Sequence, residues 1–157
     1  MKPQLSGYRI ERLKSRAKVF LVGGRALEGS FFVSPISSNY TGQQSLLELL
    51  CEEQRFLPFE TRQGKVILLE KMNILRVLTE EERPSYPPGS RSSGQISIWF
   101  NDGLHLEGEL FFSMPTTHCR LSDFLNQSAQ FYYFHTHNHI YLINRDHVTF
   151  VEPGNGH

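Results

Sequence analysis

The chain has 157 residues, of which 39% are hydrophobic and 12% aromatic; this suits one ordinary domain or two small ones built around a packed core. Sixteen basic residues balance sixteen acidic ones, so no net field draws the whole molecule to nucleic acid or to an anionic membrane. The sequence holds no apolar run of about eighteen residues and no secretory pattern, and the expectation is a soluble, cytoplasmic protein with no membrane partner.

The first segment, 1–18, carries Lys2, Arg9, Arg12, Lys14, Arg16 and Lys18 against Glu11 alone. It is the one electrostatic feature of the chain, although a charged, frayed terminus needs no partner. From Val19 the sequence turns apolar on both sides of Gly23-Gly24, which predicts a β-hairpin with glycine supplying positive φ. Gly29 follows where a second strand would bend or bulge. Leu46, Leu47, Leu49 and Leu50 then follow helical spacing, and Ser45 with Glu48 forms a capping box, predicting a helix over 45–53 with Cys51 a buried, inert thiol. Strands are expected at 56–59, 66–69 and 74–77.

Residues 79–97 are dense in Pro, Ser and Gly and read as an exposed linker. Beyond it the chain lies on itself. Val19 to Val33 aligns without a gap on Ile98 to Phe112, placing Gly24 on Gly103 and Leu27-Glu28-Gly29 on Leu106-Glu107-Gly108. Leu46 to Phe59 lies on Leu121 to Phe134, and after a one-residue gap Val66 to Val77 lies on Ile140 to Val151. The second helix is expected over 121–128, without a capping serine because Arg120 holds that place.

The fold predicted is therefore mainly β (α+β). It is a tandem repeat of two small barrel-like units, 19–78 and 98–152, with a short tail at 153–157. Each unit runs strand, strand, helix, strand, strand, strand, and the pair is expected to pack about a pseudo-two-fold axis, since a unit of about sixty residues is marginal alone.

The apolar strand, glycine turn and Leu-x-Gly of each copy resemble the first signature of Sm-like proteins, small five-stranded barrels that bind RNA. Leu69-Glu-Lys-Met-Asn-Ile74 and Ile143-Asn-Arg-Asp-His-Val148 are similar to their second signature. The resemblance implies RNA contacts from an Asp and an Asn after the second strand and from a basic-Gly pair near the last one. Here Val33-Ser34-Pro35 and Ser113-Met114-Pro115 stand at the first place, and Lys71-Met72 and Arg145-Asp146 at the second, so only the basic residue matches. The run Leu121-Ser-Asp-Phe-Leu-Asn126, with the aromatic and basic-acidic-His strands that follow, is similar to a bacterial domain family of unknown function. That resemblance names no chemistry.

Of the chemical candidates, His135, His137 and His139 alternate as zinc ligands on a strand would. The alignment instead puts them at a hairpin tip opposite Glu60, Thr61 and Arg62, with no acidic residue beside them to hold the rings, and their joint replacement by Ala is expected to shift stability by less than about 1 kcal/mol. Glu28 and Glu107 read as surface residues, and Cys119 beside His118 lacks a third catalytic group. No catalytic residue, cofactor or metal is assigned. The leading expectation is a non-catalytic protein-interaction or scaffold module whose partner is another protein, with self-association favoured by exposed strand edges. The alternatives are an RNA-binding module using Arg9, Arg12, Lys14, Arg16, Lys18, Lys71 and Arg145, and a His-site metalloprotein.

Overall fold

The computed structural model describes residues 12–37, 42–113 and 120–154. Alternation of outward cations with small inward residues starts the first strand earlier than the apolar pattern predicts: β1 spans Leu13–Leu21, with Ser15, Ala17 and Val19 buried. It turns at Gly24, whose φ of +88° needs glycine, into β2 (Ala26–Val33). Helix α1 (Leu46–Leu50) carries the expected capping box, with the Ser45 side chain accepting from Glu48 N–H, but ends before Cys51. Strands β3 (Phe56–Thr61) and β4 (Val66–Glu70), a 3₁₀ turn at Lys71–Asn73 and β5 (Ile74–Thr79) complete the first half.

The linker expected over 79–97 contains structure. A two-residue strand β6 (Arg91–Ser92) pairs with β9 (Phe111–Phe112), and β7 (Ile96–Phe100) starts before residue 98. The second half continues with β8 (His105–Gly108), α2 (Leu121–Gln127), β10 (Phe131–His135), β11 (Ile140–Asn144), a 3₁₀ turn at Arg145–His147 and β12 (Val148–Pro153).

All strand pairs are antiparallel, and the barrel-like units expected from the sequence are not closed. An open seven-stranded sheet runs β10-β11-β5-β1-β2-β3-β4, beside a three-stranded sheet β12-β7-β8. Closure is prevented because the outer edge of β5 pairs with β11, Leu142 opposite Val77 and Ile140 opposite Thr79, instead of returning to β4. The bridge from Glu109 to His135 carries the chain of pairing from β10 toward β8.

Two cores result. The first gathers Val19, Phe31, Leu46, Leu50, Leu57, Phe59 and Val77, and admits Phe131 and Leu142 from the second half. The second is built from Ile96, Ile98, Phe100, Leu110, Phe112, Tyr132, Phe134 and Ile143. The β10-β11 hairpin thus serves both, since successive side chains point to opposite faces: Tyr132, Phe134 and Ile143 face one core, Phe131 and Leu142 the other. Each such fully buried Leu or Phe contributes about 1.5–3 kcal/mol relative to exposure.

Candidate functional site

The β3-β4 hairpin has one face in the first core and one bare face. Leu57, Phe59 and Leu69 point inward and are buried. Their neighbours Phe56, Val66 and Leu68 point outward and remain 47%, 55% and 65% exposed. Cross-strand pairing sets Leu68 opposite Pro58 and Val66 opposite Glu60, so these residues share that outer face. In the sequence Val66 to Leu69 is a continuous apolar run, the pattern of a strand covered on both sides, whereas in the structure one side of it is bare.

The backbone of the same strand is open. Thr61 N–H donates to Lys65 O and Lys71 N–H to Arg55 O, which fixes Ile67 and Leu69 as the residues bonded to β3. By alternation the N–H and C=O groups of Val66, Leu68 and Glu70 face away from the sheet, where β4 is the terminal strand. Strand β12 is likewise an end strand, of the three-stranded sheet. Gly154 N–H donates back to Gln95 O on the β7 side, so Val151 and Pro153 present their backbone groups outward. Phe150 on β12 is half-exposed and stacks on Trp99 at 5.4 Å.

The predicted basic residues do not converge. Arg9 lies outside the described residues, and Arg12 is exposed just before β1. Lys14 pairs with Glu60 at 2.8 Å and Arg16 with Glu80 at 3.6 Å, while Lys18 sits over the Phe20 ring. Lys71 is buried and its ammonium donates to Glu52 O just beyond α1; burial pulls its pKa down. Arg145 does the corresponding task for α2, donating to Ser128 O at 2.5 Å. Both cations neutralise a helix C-terminal end.

The three histidines separate. His137 and His139 are exposed in the turn, but His135 ends β10 and is buried, contrary to the hairpin-tip expectation. Its Nε2 lies 2.5 Å from the Tyr86 hydroxyl, and its ring meets Phe111 edge-on at 5.0 Å. The cover comes from Tyr86, a residue of the segment read as exposed linker. Burial, and then Arg83, lower the His135 pKa, and burial raises that of Tyr86 to about 12. His135 Nδ1 is buried without a partner among the described residues.

Cys51, expected to be buried, is an exposed residue at the C-terminal end of α1; its thiol still reaches Phe131 O at 3.6 Å, and partial desolvation of the sulfur there raises its pKa. Cys119 lies outside the described residues. Glu28 pairs with Arg62 and Glu107 with His105, both at the surface. No group of three metal-ligating side chains gathers among the described residues, and no helix there is long and apolar enough to cross a membrane. No protein-family model, curated protein or solved structure matches the chain.

Proposed function

We propose that the chain is a non-catalytic protein-interaction module, made of two copies of one unit docked head to tail, and that the outer face and free edge of the β3-β4 hairpin are its binding surface. The observation that carries this is the exposure of Phe56, Val66 and Leu68 beside an unpaired strand edge. A contiguous apolar patch next to open backbone donors and acceptors is the arrangement that takes an added strand.

Several coincidences of register support the two-copy reading. β1 pairs β5 with a shift that skips Leu75, and β12 pairs β7 with a shift that skips Thr149, its aligned residue. A Cβ on Gly29 would collide with Glu60 O, and one on Gly108 with His135 O, again aligned positions. Lys71 N–H donates to Arg55 O, and Arg145 N–H to Gln130 O. Unrelated topologies have no reason to share these details. The RNA-binding alternative draws less support, since Lys14 and Arg16 are matched by carboxylates and Lys71 faces inward.

The test is a photo-crosslinking amino acid placed at Leu68 and, as a control, at Arg62 on the neighbouring turn. Illumination in native cell extract is expected to give a discrete protein adduct from position 68 only. Equal labelling from both positions, or adducts that ribonuclease removes, would sink the reading.

A further inference from the structure

We propose that the partner of the bare hairpin is a second copy of this chain, with β4 of one molecule pairing with β12 of the next. The proposal rests on the two-copy reading above and takes its geometry from the joint inside the chain. There β11 pairs with the outer edge of β5, and β10-β11 lays Phe131 and Leu142 into the first core, where they are 1% and 0% exposed. The residues aligned with these two are Phe56 and Leu68, on the bare hairpin. The strand aligned with β5 is β12, whose outer edge pairs with no strand among the described residues. A joint of this kind is heterologous: it uses two different surfaces, and among the described residues one example of each is unused.

The receiving side is also unfinished. In the first core the helix residues Leu46, Leu49 and Leu50 are buried, and α1 lies against β10. In the second, the aligned Leu121, Phe124 and Leu125 are only partly buried, and α2 has no buried residue. A hairpin arriving from another copy, as β10-β11 arrives at α1, covers them. Transferring the internal register sets Leu68 opposite Val151 and Val66 opposite Pro153, and the outward backbone groups of both strands are then those that face each other. Pro153 lacks the N–H that Thr79 has at the internal joint, so the intermolecular ladder has one donor fewer.

Sedimentation equilibrium on the full chain tests this. Wild type is expected to exceed the 18.2 kDa chain mass by at least a factor of two at about 100 µM, as a ring or an open chain of copies. Leu68→Lys, which charges the hairpin, and Val151→Pro, which blocks the receiving edge, are each expected to be monomeric alone. Mixed in equal amounts they are expected to form a dimer, because each keeps the surface the other lost. Circular dichroism checks folding, and Phe150→Asp, at a half-exposed site on the same strand, replaces Val151→Pro if that variant unfolds. A monomeric wild type overturns the proposal, and so does a Val151→Pro protein that still self-associates, which would mean pairing of like edges. In either case a discrete adduct to another protein from position 68 would leave the interaction reading standing.

Discussion

At His135 a buried imidazole depends on a contact made across the chain. Tyr86, held neutral by its raised pKa, shares one hydrogen bond with Nε2, and either tautomer leaves Nδ1 unpaired. Burial, and then the nearby Arg83 cation, disfavour the protonated ring, which is why the folded pKa falls below the unfolded value. With the folded pKa depressed, the unfolded chain binds the extra proton first, so stability is full above about pH 6.5 and declines as pH drops below that. Thermal melts between pH 7.5 and 5.5 are expected to show a fall in midpoint that is smaller in His135→Ala. Because His135 is buried, the small joint effect expected of the three histidines is corrected: at pH 7.5 His135→Ala alone is expected to cost about 1–3 kcal/mol, while His137→Ala and His139→Ala stay within about 0.5 kcal/mol. Equal slopes in wild type and His135→Ala would show that this ring does not titrate with folding. None of this was legible in the local sequence. The hairpin tip was correctly placed for His137 and His139, but the cover on His135 comes from Tyr86, inside a segment whose composition signals exposure.

The helices show how far a local pattern reaches. Leucine spacing and the Ser45-Glu48 box located α1, and Phe124 with its leucine neighbours located α2, but each helix is shorter than the pattern predicts. Periodicity sets which residues face inward, whereas burial depends on what arrives from elsewhere. For α1 that is the β10 strand and the Glu81 carboxylate, which accepts from Leu46 N–H at 2.8 Å. For α2 no equivalent strand is present among the described residues. Leu50 and Leu125 hold aligned places in the two helices, yet their truncations are not expected to cost alike. Leu50 is fully buried and its truncation is expected to cost about 2–5 kcal/mol. Leu125 is partly exposed, and its truncation in a monomeric background such as Leu68→Lys is expected to cost about 1 kcal/mol. Urea midpoints decide between these, and equal losses would mean that α2 is as well covered as α1.

For the whole molecule, laying the chain on itself anticipated most strands of both halves, but it missed β6 and the early starts of β1 and β7, and it did not show which edges meet. The expectation that the two halves pack about a pseudo-two-fold axis follows from the repeat, but apolar alternation alone does not choose between that packing and the β5-β11 pairing observed. The observed joint turns on Arg76, a charged residue in the middle of β5 that apolar patterning cannot interpret. It is 5% exposed, its guanidinium lies 4.7 Å from the ring centroids of both Phe20 and Phe100, and it pairs with Asp102 at 3.4 Å. Phe20 belongs to the first half, Phe100 and Asp102 to the second, so one side chain ties the two together. Removing it leaves a gap between the rings and strips Asp102 of its cation. Arg76→Ala is expected to cost about 3–5 kcal/mol. Arg76→Met keeps an unbranched apolar stem between the rings and leaves only a partly solvated carboxylate unpaired, so it is expected to recover most of that loss. The measurement is urea unfolding followed separately by Trp99 fluorescence, which reports the second half, and by far-ultraviolet dichroism, which reports both. If Arg76 couples the halves, the two probes coincide in wild type and in Arg76→Met but separate in Arg76→Ala, with a smaller slope for each step. Coincident transitions in Arg76→Ala would place the coupling in the β5-β11 ladder alone.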